Sequence, residues 1–369
     1  MSLTILADDL TGACDTGALF AGKAFVPVTV WPRAPHPAPV RVVDTETRAR
    51  SAEEAADRVR AIARGAPATS YFKKIDSTLR GRIGAEVAAL AAAVGAAEVL
   101  LCPAFPAVGR AVVDRVLLIE GTPITETTLA HDPEFPRRAG PHDRRTGSVI
   151  DLLRPQLDRP LAWIPLAEVR RGAALLTARL SRLAGTVVLA DAETDADLEG
   201  LVQSAFELDR PPLLVGAAGL ARALARHLGL LAERAALPRG GRWLVVAGSL
   251  HPMTRRQVTA AREAGLRVLA SGSREEADPP AVARRLAGEA RRALETEAFD
   301  LVAVTGGETA VALYEALEAE RIDLVGAPGP GLAFGYLRTP RHPALPLLTK
   351  AGAFGAPDLF VSLREKSAA

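Results

Sequence analysis

The sequence predicts an α/β protein: two α/β domains with mainly parallel sheets and a cleft between them. Three observations carry that expectation. Short apolar runs alternate with Ala/Leu/Arg-rich stretches of helical period almost from end to end, the pattern of βαβ units on a parallel sheet. The chain has 369 residues, long for one hydrophobic core and comfortable for two. The segment Leu237 to Arg242, with Pro238, Gly240 and Gly241, interrupts the rhythm. The expected boundary falls there, giving domains over residues 1–237 and 238–369.

In the first domain the apolar runs Leu3 to Ala7, Val40 to Val43, Ser70 to Lys73, Val99 to Leu101, Thr186 to Ala190 and Pro212 to Val215 predict strands. They are short, bounded by turn residues and rich in Val, Ile and Leu. Between them, helical spacing of apolar residues predicts helices over Thr11 to Ala21, Ala52 to Arg64, Ile83 to Ala93, Leu198 to Leu208 and Leu220 to Leu231. The second domain continues with strands at Trp243 to Ala247, Arg267 to Ala270 and Leu301 to Val304, and helices at Pro252 to Ala264, Pro280 to Leu294 and Thr309 to Ala319. After Asp323 the chain turns Gly/Pro-rich, through Gly326, Pro328, Gly329, Pro330 and Gly331. A last Gly-rich piece runs from Thr349 to Gly355.

Composition narrows the function. The chain is 49% hydrophobic and 24% charged, as in folded domains rather than disordered ones. A net charge of +2, with the two signs interspersed, and 4% aromatic residues give neither the basic face nor the stacking platform of a nucleic-acid binder. Cys14 and Cys102 stand in no metal-binding or disulfide pattern, which points to a reducing compartment and hence the cytoplasm. Neither an export signal nor a run of about 18 apolar residues is seen, so a membrane is not expected. The histidines fall in no HxH or HExxH spacing, and His131-Asp132-Pro133 reads as a turn rather than an acid/base pair. Any metal is then expected on oxygen ligands. No GxxxxGK[ST] and no strand-linked GxGxxG occurs, which removes the main support for a P-loop NTPase or an ordinary dehydrogenase.

Polar clusters follow the strands. Thr305-Gly306-Gly307-Glu308 sits between a strand and a helix, where two glycines and the positive helix end suit a phosphate. The same residues have the spacing of a capping box, the commoner meaning of such a turn taken alone. Asp8 and Asp9 follow the first strand. Either Asp9 or Asp15 alone is explained by capping, but adjacent carboxylates repel unless a cation, a substrate hydroxyl or a metal satisfies them. Asp44-Thr45-Glu46-Thr47-Arg48 reads equally as a site loop or a solvated one. Lys73-Lys74-Ile75-Asp76-Ser77-Thr78-Leu79-Arg80 ends a strand with donors suited to a carboxylate or phosphate. Cys102 to Arg110 is an irregular Pro/Gly path from which Arg110 reaches over a neighbouring site, with a plain connecting loop as the rival. His251, beside Pro252, reads as the start of a helix.

Together these segments resemble the four-carbon acid sugar kinases, which phosphorylate threonate, erythronate or 3-oxo-tetronate with ATP. The resemblance spans nearly the whole chain and rests on ADDLTGACDT (7–16), DTETR (44–48), FKKIDSTLRGRIGAE (72–86), CPAFPAVGR (102–110), VGAAGLA (215–221), VAGSLHPMTRRQV (246–258), TGGET (305–309) and KAGAFG (350–355). It implies an N-terminal sugar-acid domain and a C-terminal nucleotide domain, with transfer across the cleft. Ser249, Gly306, Gly307, Glu308, Thr309 and Gly352 would contact ATP. Asp8, Asp9, Arg48, Lys74, Asp76, Ser77, Arg80 and Arg110 would line the acceptor side. Phosphoryl transfer asks for in-line positioning, neutralised phosphate charge and a proton acceptor. On this basis Mg²⁺ bridges the phosphates, Lys74, Arg80 or Arg110 grips the substrate carboxylate, and Asp8 or Asp9 is the general base, with Asp76 in reserve. The last motif departs from the family's KSGNFG at Ala351 and Ala353, which keeps a non-catalytic sugar-acid or nucleotide sensor as the alternative. A homo-oligomer is compatible with the sequence.

Overall fold

Leu3-Thr4-Ile5-Leu6-Ala7 forms a strand buried along its whole length, and the absence of in/out alternation marks a sheet covered on both faces. This is β1 in the computed structural model, which describes residues 2–127, 147–272, 278–352 and 354–368. The turn expected at His131-Asp132-Pro133 and the Ala353 departure lie outside the described residues. The strands after β1 are β2 (Val26–Val30), β3 (Val40–Asp44), β4 (Ser70–Lys74), β5 (Val99–Cys102), β6 (Arg110–Val113), β7 (Val116–Ile119), β8 (Thr122–Pro123) and β9 (Leu161–Ile164). They continue with β10 (Val187–Ala190), β11 (Leu213–Gly216), β12 (Trp243–Ala247), β13 (Arg267–Ala270), β14 (Leu301–Thr305), β15 (Arg321–Gly326), β16 (Leu332–Arg338) and β17 (Leu345–Lys350).

The chain divides into two compact units, Met1–Asp9 with Pro39–Leu231, and Leu10–Ala38 with Ala232–Ala369. The mixed α/β architecture expected from the alternating pattern is thus present, with the segment Leu10–Ala38 packed in the second unit.

In the first unit the strand order is β3-β1-β4-β11-β5-β10-β9, every neighbouring pair parallel. Ile5 lies opposite both Val42 and Phe72, so branched and aromatic side chains stack across the centre of the sheet. The crossover helix Ala52–Gly65 starts at Ser51, whose hydroxyl accepts from Glu54 N at 3.1 Å. β1 is flanked by β3 and β4, so the chain order reverses there, the position beyond which open α/β sheets bind ligands. A small antiparallel sheet, β6-β7-β8, was not expected. Arg110 opens its first strand after the single turn Pro106–Val108.

In the second unit β13-β12-β14-β17 are parallel, and β16, β15 and β2 follow in antiparallel pairs. The sheet is therefore parallel over only part of its width. Trp243, Val245, Leu301, Phe334 and Leu348 build the core with Phe360 of the helix Leu359–Ala368. The Gly/Pro-rich stretch after Asp323 is not an irregular loop: β15 ends at Gly326 with a bulge, and β16 begins at Leu332. Asp15, on the helix Leu10–Ala18, accepts from Gly331 N at 3.1 Å and so ties down the turn between these strands. Among the described residues no helix is long and apolar enough to cross a membrane.

Candidate active site

The turns after β1, β3 and β4 lie side by side because Ala7 pairs with both Asp44 and Lys74. The carbonyl of Asp8 accepts from Thr47 N and Arg48 N, both at 3.2 Å, which carries the Arg48 side chain back over the first turn. Arg48 Nε donates to Asp8 Oδ2 at 2.7 Å, and Nη2 to Asp8 Oδ1 at 2.9 Å and Asp9 Oδ1 at 2.7 Å. The same Nη2 lies 3.8 Å from Asp76 Oδ1. Of the three partners that could reconcile adjacent Asp8 and Asp9, the protein supplies a cation. Burial works against the Arg48 charge, but Asp8, Asp9 and Asp76 outweigh it and hold the guanidinium firmly protonated.

Asp76 is fixed a second time. Arg80 Nε donates to its Oδ2 at 2.7 Å and Nη2 to its Oδ1 at 3.0 Å, and Thr78 adds its hydroxyl. Burial alone would raise the Asp76 carboxyl; Arg80 and Arg48 prevail and hold it well below the usual carboxylate range. Arg110 Nη1 donates to Ser77 Oγ, joining the start of β6 to this cluster. The Lys74 ammonium, 5% exposed, donates to Ile75 O at 2.9 Å and meets no carboxylate among the described residues. A desolvated cation without a counterion is suited to an anionic ligand.

The segment 44–48 is not a solvated loop. Thr45 and Thr47 are fully buried; Thr45 Oγ1 donates to Ala7 O at 2.9 Å, and Thr47 Oγ1 bonds to Glu86. The other Glu86 oxygen lies 3.0 Å from Lys73 Nζ, a pair sealed from solvent beneath the turns. Lys73, Thr45, Thr47 and Glu86 were missed as site-shaping residues. Their signal was a lysine before the end of an apolar strand and one acid in the Ala-rich helix Ile83–Val94.

In the second unit Ala247 pairs with Thr305 and Thr305 with Lys350, so β12, β14 and β17 end at one level. Their ends place Ser249, the Gly306 turn and Gly352 in adjacent loops. The capping box does not form. Thr305 still belongs to β14, its buried hydroxyl has no hydrogen-bond partner among the described residues, and the N-cap of the helix Gly307–Ala316 is Gly306, which brings no side chain. Gly306 has φ +101°, a left-handed backbone disfavoured for any other residue. The positive end of this helix carries Gly307 and Glu308 in its first turn, with Thr309 buried behind them, and such an end favours an anion. A Cβ on Gly352 would lie 2.6 Å from Ser249 Oγ, which fixes how closely these loops approach. His251 starts the helix Pro252–Glu263, its Nδ1 accepting from Met253 N at 3.2 Å.

Comparison with known proteins decides the family. The Sugar-binding N-terminal domain family matches residues 3–224, and the Nucleotide-binding C-terminal domain family residues 267–360. The D-threonate kinase of Salmonella typhimurium is 32% identical, with 96% of each chain covered. The chain belongs to the four-carbon acid sugar kinase family. Other relatives in the family are a D-erythronate kinase of Heliobacterium modesticaldum, 27% identical over 97% of this chain and 95% of that one, and a 3-oxo-tetronate kinase of Methylobacterium radiotolerans, 33% identical over 98% of each. The fold is shared with a Salmonella typhimurium protein described as a tRNA synthase, at TM-score 0.80 and 21% identity, covering 99% of both chains. A Bordetella bronchiseptica structure, a domain-swapped dimer with bound citrate, is 32% identical at TM-score 0.52 over 100% of this chain and 98% of that one.

Proposed function

We propose that this family member transfers the terminal phosphoryl group of ATP to a hydroxyl of a four-carbon sugar acid of the threonate, erythronate or 3-oxo-tetronate type. The observation that carries the nucleotide half is the helix N-terminus at Gly306, an N-cap that brings no side chain of its own, framed by Ser249 and Gly352. Ser249, Gly306, Gly307, Glu308, Thr309 and Gly352 hold the nucleotide. The first unit takes the acid, with Lys74 as the cation most available to its carboxylate and Arg80 and Arg110 beside it; Arg48 and Ser77 complete the wall.

Asp8 or Asp9 accepts the proton of the attacking hydroxyl. Asp76 suits that role less, since a carboxyl so strongly stabilised as its anion is a weak base. Mg²⁺ fits as a companion of the phosphates rather than of a protein cage. The oxygen-rich turns offer hard donors, but among the described residues no three acidic, His or Cys side chains are grouped so as to hold a metal ion by themselves, Asp8, Asp9 and Asp76 being engaged by Arg48. When bound, the ion neutralises phosphate charge. The two buried free cysteines suit the reducing cytoplasm.

An ATP-coupled assay with four-carbon acids against five- and six-carbon aldonates tests this. Turnover is expected with the four-carbon set; turnover confined to the longer acids, or binding without ATP consumption, refutes it. Asp8→Asn is expected to lose at least about 100-fold in kcat with ATP affinity kept. Wild-type turnover in that variant removes Asp8 as the base.

A further inference from the structure

The loop that leaves β17 is held from beneath by its carbonyl oxygens. Lys350 Nζ donates to Ala351 O and Gly352 O at 2.9 Å and to Phe354 O at 3.2 Å. Thr254 Oγ1 donates to Gly352 O at 2.7 Å. Gln257 Nε2 lies 2.9 Å from Phe354 O and Ala356 O and 3.2 Å from Gly355 O. A trans peptide points its N–H away from its carbonyl. Capturing Ala351 O and Phe354 O on the protein side therefore turns the N–H groups of Gly352 and Gly355 outward, and neither has a backbone acceptor among the described residues.

Lys350 is 0% exposed and has no carboxylate partner among the described residues. Burial, the one influence on its titration, pushes the amine down to about 7. Three carbonyls around one nitrogen need the three hydrogens of the ammonium; a neutral amine offers two. An unpaired cation is costly to bury, and nothing in the core requires one there, since a methionine fills similar space. Its backbone is engaged as well: Lys350 O accepts from Gly306 N at 3.4 Å, which ties this loop to the helix turn.

We propose that Lys350 is a positioning residue for the nucleotide: without touching it, its ammonium orients the Gly352 and Gly355 N–H groups toward the phosphates. This rests on the second unit being the nucleotide half-site. Thr254 supports the same loop with one bond, to Gly352 O.

The full-length protein carrying Lys350→Met or Thr254→Val is compared with wild type by titration with fluorescent ADP, by KM for ATP and for the sugar acid, and by thermal melting. Lys350→Met is expected to weaken nucleotide binding about tenfold or more, and Thr254→Val about three- to fivefold, in proportion to the hydrogen bonds lost. In both, KM for the sugar acid stays within about twofold of wild type, since its half-site is untouched. Equal loss for both ligands, as from general destabilisation, overturns the proposal. So does wild-type nucleotide affinity in the variants, while Gly306→Ala still loses it; that outcome leaves the nucleotide half-site standing. Absence of ADP binding by the wild type refutes the half-site itself. If Lys350→Met does not fold, Thr254→Val decides.

Discussion

Arg48 is pressed against Asp8 and Asp9 and lies near Asp76, with Arg80 as the only other guanidinium bonded to that set among the described residues. Removing it leaves carboxylates that repel one another in a poorly solvated site. Arg48→Met is therefore expected to cost on the order of 3 kcal/mol, read from urea unfolding; a loss below about 1 kcal/mol would mean that water satisfies the carboxylates instead. That the two adjacent aspartates need a cation, a substrate hydroxyl or a metal was legible from the sequence. That the partner is Arg48 was not, because Arg48 is distant in sequence and is delivered by the parallel pairing of β1 with β3. Glu46 adds a pH effect. Its backbone is left-handed, and burial pushes its carboxyl up to about 7, with Asp44 raised beside it for the same reason. The folded chain thus keeps a proton that the unfolded chain releases from near the ordinary glutamate value of 4.5. That contribution to stability is complete below the unfolded value and is lost as pH rises through about 7. Glu46→Gln should melt higher relative to wild type at pH about 8 than at pH about 4.5, where the wild-type proton is retained. An equal difference at both pH values refutes the shift.

At the scale of elements, strands such as Trp243–Ala247 and Leu3–Ala7 were legible because their runs are apolar throughout or but for one threonine. The missed strands carry local contradictions. β2 contains Pro27, and β15 and β16 are separated by Pro328, Gly329, Pro330 and Gly331; pairing across the sheet overrides those propensities. The turn at Gly306 shows the opposite failure. Thr305 and Glu308 have capping-box spacing, but the strand runs one residue further than that box allows and the cap passes to glycine. Gly306→Ala forces a β-carbon into a left-handed backbone, at a cost of about 1–2 kcal/mol. The unfolding midpoint should fall accordingly and nucleotide affinity with it. Unchanged affinity in a folded variant would show that this turn does not face phosphate.

At the scale of the molecule, both sheets obey one rule: parallel pairing brings strand ends to a common level, and the polar turns sit there. In the first unit those turns carry opposed charges locked into pairs, with Lys74 left over; in the second they carry glycines, a hydroxyl and a helix end whose N-cap is glycine. The first set suits an acid rich in hydroxyls and the second a polyphosphate, which is the division of ligands proposed above. The polar motifs were readable because each lies directly after its strand; the proposed division of ligands between the units rests on the resemblance to the family. The inclusion of Leu10–Ala38 in the second unit was not readable, since it depends on contacts such as Asp15 with Gly331. Hydrogen exchange separates the two ligands. ADP alone should slow exchange at the amides of 306–309, 352 and 355, which the proposal turns toward the phosphates, and leave 75–80 unchanged. The sugar acid alone should slow exchange in 75–80, around Lys74, and leave the glycine turns unchanged. Protection of the same amides by either ligand would mean that one unit binds both, and the assignment of an acid half and a nucleotide half would fall.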